Sequence, residues 1–428
     1  MNSGDTAWML ISSGLVFLMT PAVAFFYGGM VRAKAVLHMM MLSVGTIAVV
    51  ALAWAACGWS IAYTGKSVGG VFGNPFTGAF FHDVIAVKDG VYTSSADTGT
   101  GAYPVTVDAF FQMTFAIITV ALISGALAER VKFSTWLVFT LLWVIFDYAP
   151  MAHMLWNKGL LSADGAISKF FGVPAHDFAG GTVVHINAAI AALVVAMIVG
   201  RRKGFGAAAF KPHNVPFVLL GAFLLWFGWF GFNGGSAFAA NGTAAYAIIT
   251  TTLCAGAATL GWLLVEKIRT KYATPVGAAS GMVAGLVGIT PSADVVSPLA
   301  SIIIGLIVGA VCCVAISVKF KLGIDDSLDV VGVHGVGGVL GTVFVGVFSA
   351  GSGLVTHGDF RLALVQIIIA LIAIIFSAAV TFVIAFALEK TMGWRSSTYA
   401  EITGIDVVQH GERSYDFTST SLSIGRHA

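Results

Sequence analysis

Residues 177–195 read DFAGGTVVHINAAIAALVV, which places one ionisable ring, His185, inside a segment apolar and long enough to span a bilayer. A second stretch, residues 330–341, reads VVGVHGVGGVLG and carries His334. Polar groups inside hydrocarbon are costly and usually face a helix-bundle interior or a pathway. Two such rings, one in each half of the chain, therefore predict either a pair of buried structural histidines or the lining of a path through the membrane.

The composition predicts an all-α polytopic membrane protein. The chain has 428 residues, of which 58% are hydrophobic and only 10% charged, whereas soluble proteins carry about a quarter charged residues. Runs of about 20 apolar residues recur along it and predict transmembrane helices. The net charge of +2 does not favour a nucleic-acid partner, and the four cysteines lie in apolar runs, which is typical of small buried side chains. We predict eleven spans, at about 7–31, 36–62, 108–127, 134–155, 178–200, 214–238, 244–265, 275–292, 298–318, 329–350 and 362–388.

The basic residues of the loops support an odd number of spans and predict an orientation. With eleven spans, 17 of the 22 Lys and Arg fall on one side, including four in the tail. The other side receives only Lys66, Lys88, Lys158, Lys169 and Arg361. Cytoplasmic loops carry the excess of basic residues. The N-terminus is therefore predicted outside and the C-terminus inside.

The two halves of the chain show a weak internal sequence repeat. FFYGG at 25–29 resembles GFNGG at 231–235, and His185 of the fifth span corresponds to His334 of the tenth. An offset of five spans gives the second copy the opposite orientation, as in inverted repeats whose substrate path lies at the pseudo-two-fold interface. We predict repeats at about 7–200 and 214–350 and an extra eleventh helix at 362–388. These form a transmembrane domain over 1–391, followed by a cytoplasmic tail over 392–428.

Acidic residues flank or enter these spans, and each has more than one interpretation. Asp177 stands eight residues before His185, where it can cap the helix start, attract a cation, or do both. Asp329 begins the tenth span and is predicted to cap it. Asp147 lies inside the fourth span, and the sequence suggests no partner for it.

Aromatic residues at the outer ends of spans offer a candidate cation site. Phe115, Trp156 and Ser236 each lie near such an end and combine aromatic faces with a hydroxyl. Aromatic faces attract desolvated cations by about 2 kcal/mol or more. The alternative is that these residues belong to the core or to the interfacial aromatic belt, as most of the 32 Phe and 10 Trp must.

The sequence gives no support for a metalloenzyme or a potassium channel. It contains no His-Glu-x-x-His, and it lacks the carbonyl filter sequence of potassium channels. We therefore expect no enzyme activity, cofactor or metal.

Over almost its entire length the chain resembles the ammonium transporters of the Amt/Mep/Rh family, in particular bacterial members. The motifs that carry the resemblance are FFYGGMV (25–31), GALAER (125–130), DFAGGTVVHIN (177–187), GFG (204–206), KPHN (211–214), WFGFNGGS (229–236) and GVHG (332–335). Asp147 departs from the pattern, because a non-acidic residue is expected there.

The resemblance implies a multi-pass protein of the cell membrane that forms a homotrimer with one pore per subunit. It implies that Phe115, Trp156 and Ser236 recruit ammonium at an outer site shaped by Asp177. Below that site, Phe115 and Phe232 stack as a gate with Phe26 nearby. His185 and His334 would be the paired histidines of the pore.

The same resemblance implies a mechanism and partners. Ammonium would be recruited, lose its proton at the Phe gate, and pass the pore as ammonia among membrane lipids. In many bacterial members a PII-type signal protein blocks the cytoplasmic face, and residues 404–415 resemble the tail segment that contacts neighbouring subunits. Two alternatives remain: a Rhesus-type neutral gas channel, against which Trp156 and Ser236 argue, and an ammonium sensor that signals through its tail.

Overall fold

The computed structural model describes residues 1–98, 103–207 and 210–415, and within these ranges the chain is mainly helical. Ten helices in these ranges have the length and hydropathy of a membrane span, and an eleventh apolar helix is shorter. We label them α1 to α11: Ser3–Met30, Val36–Gly58, Val105–Leu127, Phe133–Trp156, Gly181–Val199, Val215–Gly235, Gly242–Thr270, Pro275–Ile289, Pro298–Leu322, Val331–Phe348 and Arg361–Thr391.

Each of these helices falls within or overlaps one predicted span. The short one, α8, has 15 residues, which gives a length of about 22 Å against a hydrocarbon core of about 30 Å. The helical, multi-pass architecture is therefore confirmed. The count of eleven spans, the inverted relation of the halves and the outside N-terminus stay predictions.

Side-chain caps fix the starts of several helices in the second half. Asn214 accepts a hydrogen bond from the Phe217 amide at the start of α6, and Asn241 caps α7 in the same way. Thr274 and Ser297 do so at α8 and α9. In α8 and α9 a proline holds the first helical position, where no intrahelical N–H bond is lost.

Glycines at intervals of four allow α7, α8 and α9 to pack backbone to backbone. A Cβ at Gly305 or Gly309 of α9 would lie 2.3 Å or 2.1 Å from a carbonyl oxygen of α7, that of Cys254 or Ala258. Only glycine allows so close an approach. The four-residue spacing of these glycines therefore serves helix packing.

The two segments of the sequence repeat lie on helices that touch. A Cβ at Gly221 of α6 would stand 2.4 Å from the Phe26 amide nitrogen of α1, so these two helices also meet at their backbones. α1 and α6 thereby bring the predicted halves together, and side chains of both line the same cavity as His185 and His334.

The segments outside the helices are small and lie against helix ends. The long loop before α3 contains two antiparallel hairpins, Ser67–Val68 with Phe72–Gly73 and Ile85–Lys88 with Val91–Ser94. In the tail, the carboxylate of Asp406 accepts hydrogen bonds from the Leu37 and His38 amides at the start of α2. Residues 416–428 of the predicted tail lie outside the described residues.

Candidate functional site

The two histidines predicted from the sequence repeat meet in the interior. His185 and His334 are 1% and 5% exposed, and their Nδ1 atoms are 3.2 Å apart. Each ring stands on a π-helical turn, Gly181–Ile186 in α5 and Val331–Gly335 in α10. The structure therefore brings together residues 149 positions apart in the sequence.

A carboxylate fixes the start of each π-helical turn, eight residues before the histidine. Asp177 accepts hydrogen bonds from the amides of Gly180, Gly181, Thr182 and Val183 at 2.6–3.2 Å. Its predicted capping role is thus confirmed. Gly180 has φ +114°, a conformation that side-chain-bearing residues rarely adopt, and it lets the chain turn back onto the carboxylate.

The prediction that Asp329 caps the tenth span was wrong by three residues. Asp326, not Asp329, caps α10 by accepting from the Val330 and Val331 amides at 3.0 Å and 2.8 Å. Asp329 has φ +64° and instead accepts a hydrogen bond from Lys319 Nζ at 2.5 Å. It precedes α10 in a left-handed conformation, so its carboxylate is directed away from the first amides.

A narrow void surrounds the histidine pair. Apart from the two imidazoles and the Tyr27 ring, its walls are apolar, and they include Phe26, Trp229 and Phe232. The His185 ring stacks on Trp229 with ring centroids 5.6 Å apart. Within the described chain, His185 Nε2 is buried without a hydrogen-bond partner. The void therefore combines two imidazoles with an otherwise mainly apolar lining.

Two stacked phenyl rings separate this void from a wider cavity. Phe115 and Phe232 have ring centroids 4.1 Å apart and planes inclined by 21°, and both side chains are buried. Phe232 also lies 6.1 Å from the His185 ring. Phe26 lines the void on the histidine side of this stack.

The wider cavity, which we call the outer cavity after the predicted orientation, has a volume of about 700 Å³. Phe115, Trp156 and Ser236, the three residues of the predicted recruitment site, all line it. Phe115 and Trp156 meet edge to face at 6.0 Å. The Ser236 hydroxyl donates to the Phe232 carbonyl at 2.8 Å, which leaves its oxygen lone pairs available.

Asp177 contributes to this cavity through its backbone. Its carbonyl oxygen accepts a hydrogen bond from Trp156 Nε1 at 2.9 Å, which fixes the orientation of the indole. The Asp177 side chain is turned to the four amides and is not among the described residues that line the outer cavity.

Different ion pairs flank the two carboxylate caps. Beside Asp177, His176 Nε2 donates to Asp294 Oδ1 at 2.8 Å. Burial works against the charged imidazole, but the hydrogen bond and charge of Asp294 outweigh it and raise the pKa of His176. Beside Asp326, Lys319 pairs with Asp329 and lines an inner cavity of about 560 Å³.

Asp147 lies apart from both the void and the outer cavity. It is fully buried between α4, α5 and α11, and its Oδ2 is 3.5 Å from the Thr381 hydroxyl. Trp143 Nε1 donates to the same hydroxyl at 2.9 Å. Because Thr381 is 234 residues away, the sequence alone could not suggest this contact.

Sequence reasoning missed two polar residues of the outer cavity lining. Asp108 and Gln112 stand on α3, seven and three residues before Phe115. Residues three, four and seven apart share a helix face, so the position of Phe115 could have identified both. Gln112 accepts a hydrogen bond from the Tyr63 hydroxyl at 2.7 Å.

Comparisons with known proteins agree with this geometry. A family model described as Ammonium Transporter Family matches residues 7–415. An ammonium transporter of Mycobacterium tuberculosis is 47% identical, over 99% of this chain and 92% of the relative. Among solved structures, Saccharomyces cerevisiae Mep2 has a TM-score of 0.83 at 31% identity, covering 93% of this chain and 90% of Mep2. A sensor Amt protein has a TM-score of 0.84 at 28% identity, covering 95% and 98%.

The fold and these similarities define a multi-pass transport protein of the cell membrane. The chain belongs to the ammonium transporter family, and its function is ammonium transport.

Proposed function

We propose that the outer cavity recruits ammonium, that the ion loses its proton beside the Phe115–Phe232 stack, and that ammonia then passes His185 and His334. The observation that carries this proposal is the histidine pair, with Nδ1 atoms 3.2 Å apart inside a void that is otherwise mainly apolar. Such a lining disfavours any bare ion, because transfer of a charge into a low-dielectric medium costs on the order of tens of kcal/mol.

Acid–base chemistry then provides the selectivity. Ammonium and potassium have the same charge and a similar size, so an aromatic site attracts both. Only ammonium can give up a proton and continue as a neutral molecule. The stack of Phe115 on Phe232 occupies the boundary between the half-polar outer cavity and the dry void. Phe26 would belong to the same gate and line the void on the histidine side of this boundary.

The contact between the histidines constrains their tautomers. One Nδ1–H must donate to the lone pair of the other Nδ1, so at least one ring is neutral with its proton on Nε2. The His185 ring lines the void, and its unpartnered Nε2 is then a donor or an acceptor. Ammonia has both N–H donors and a lone pair, and either tautomer can therefore bind it.

The test is a comparison of ammonium and potassium gradients in proteoliposomes. Currents on a solid-supported membrane, together with uptake of labelled methylammonium, should respond to ammonium and not to potassium. Active, oriented protein without any ammonium response would contradict the proposal. Strictly electroneutral flux without a saturable ammonium site would instead favour the Rhesus-type alternative.

The pore residues are tested by removing both rings. His185→Ala combined with His334→Ala should either abolish transport or abolish discrimination against potassium, because the dry path loses its polar groups or admits hydrated ions. His82→Ala, at an exposed position on the loop before α3, is the matched control and should behave as wild type. Unchanged flux and selectivity in the double variant would exclude the assigned role.

We further propose a homotrimer with one pore per subunit and a PII-type signal protein as a partner at the cytoplasmic face. Both proposals rest on the family membership. Mass measurement of the detergent-solubilised protein should give three copies, and a monomer would contradict the first. Binding of purified PII-type protein to inside-out vesicles tests the second.

A role as an ammonium sensor is the second candidate. It is favoured by the similarity to a sensor Amt protein and by the contact of Asp406 with the start of α2. Deletion of the residues after 391 should then abolish signalling to the partner while ammonium flux is retained. Loss of flux with the tail would assign the tail to transport.

A further inference from the structure

The outer cavity contains a carboxylate other than the one expected there. Asp177 has both oxygens occupied by four backbone amides, and its side chain is not part of the described lining. A carboxylate accepts about four hydrogen bonds, so Asp177 has little capacity left for a cation. Its charge is further offset by the positive end of the helix that it caps.

Asp108 differs in both respects. It is half-buried on the first turn of α3 and lines the outer cavity together with Phe115, Trp156 and Ser236. Its one hydrogen bond within the described chain comes from the Tyr103 hydroxyl at 3.3 Å, and no described Lys or Arg forms an ion pair with it. Most of its hydrogen-bonding capacity therefore remains available.

The surroundings of Asp108 increase the effect of its charge. Among the described residues that line the outer cavity, none is Lys or Arg, and seven are aromatic. Low-dielectric walls focus the field of a charge into a cavity and raise the local concentration of counter-ions. Aromatic faces add cation–π attraction of the same sign.

We infer that Asp108 is a cation-recruiting residue of the outer cavity and sets the apparent affinity for ammonium before the ion reaches the Phe115–Phe232 stack. This inference rests on the proposed function of the outer cavity. The combination of one carboxylate with aromatic faces also suits alkylated ammonium ions. Tetramethylammonium cannot lose a proton, so it should occupy the outer cavity and block ammonium competitively.

The experiment compares Asp108→Asn with Asp164→Asn in proteoliposome currents at low and at physiological ionic strength. Asp164 is exposed on the loop between α4 and α5, so its substitution changes the net charge equally outside the cavity. For Asp108→Asn we expect the half-saturating ammonium concentration to rise about tenfold, or about 1.4 kcal/mol. The maximal current should stay within about twofold. The effect should shrink at higher salt, and Asp108→Glu should restore most of the affinity.

A second readout separates this inference from the transport proposal. Calorimetric titration of detergent-solubilised protein with tetramethylammonium should give binding that weakens in Asp108→Asn by the same factor and not in Asp164→Asn. If Asp108→Asn does not fold, Asp108→Ser replaces it. Equal half-saturation and equal tetramethylammonium affinity in wild type and the Asp108 variant would overturn the inference. A wild type that binds tetramethylammonium through Asp108 without an ammonium current would overturn only the proposed function.

Discussion

The start of α5 and the start of α10 are built alike, yet their surroundings differ. In both, a carboxylate caps a π-helical turn and a histidine follows eight residues later, so that Asp177 leads to His185 and Asp326 to His334. The two histidines meet at 3.2 Å. The framework that positions the imidazoles is therefore the same in both halves.

The residues around the two caps have different chemistry. Asp177 accepts four amide hydrogen bonds and lies next to Trp156 and the aromatic outer cavity. Asp326 accepts two, and its backbone carbonyl accepts from Lys319 at 2.7 Å. Lys319 thus lines the inner cavity, and the carboxylate of Asp108 lines the outer cavity. The comparison indicates that the similar helix starts position the two histidines, whereas the residues around them give the two neighbouring cavities their different chemistry.

The largest predicted difference between the two helix starts is the loss of unfolding free energy when the charge of each capping carboxylate is removed. Asp177→Asn places an amide group opposite four backbone donors and should lower the free energy of unfolding by about 3 kcal/mol. Asp326→Asn affects two donors and should lose about 1.5 kcal/mol. Thermal unfolding in detergent measures both, with Asp164→Asn as a control that should not change. Equal losses, or a larger loss for Asp326→Asn, would contradict the difference in hydrogen bonding.

Lys319→Met tests the ion pair beside the inner cavity alone. The substitution keeps most of the aliphatic stem but leaves Asp329 without its cation, and the side chain of Lys319 is 14% exposed. We expect a loss of about 1 kcal/mol in unfolding free energy, in the range of partly screened ion pairs. Lys321→Met, at an exposed position two residues later, should have no effect. The same loss in both variants would mean that general charge, not the ion pair, is responsible.

The smallest expected effect is the pH dependence of stability that comes from the His176–Asp294 pair beside Asp177. Because Asp294 raises the pKa of His176, this pair stabilises the fold below the pKa of an unfolded histidine. The stabilisation is lost as the pH rises through the elevated folded value. The unfolding midpoint should therefore fall by about 2 °C or less between pH 6 and pH 9. This contribution should vanish in His176→Gln. A pH profile that is identical in wild type and His176→Gln would contradict it.

Much of the architecture followed from patterns in the sequence. Hydropathy located the helices. The predicted repeat paired His185 with His334, and their Nδ1 atoms are 3.2 Å apart.

The errors came from contacts that local patterns do not contain. Asp329 was preferred as the cap because it adjoins the apolar run, although the spacing from Asp177 to His185, applied to His334, points to Asp326. Asp108 was overlooked because it carries no motif, although it shares a helix face with Phe115. The partner of Asp147 could not be predicted, since Thr381 approaches it only through tertiary packing.

The π-helical turns that carry the two imidazoles have a consequence for insertions and deletions. A π-helical turn accommodates one residue more than an α-helical turn would, and here the His185 amide bonds the Gly180 carbonyl five residues back. Deleting that one extra residue would restore ordinary winding and keep the later residues of the helix in register. The same deletion in an ordinary α-helical turn would instead rotate every later side chain by about 100°. A one-residue deletion is therefore confined to its own turn at these two places, whereas elsewhere in α5 and α10 it would change the packing of everything that follows.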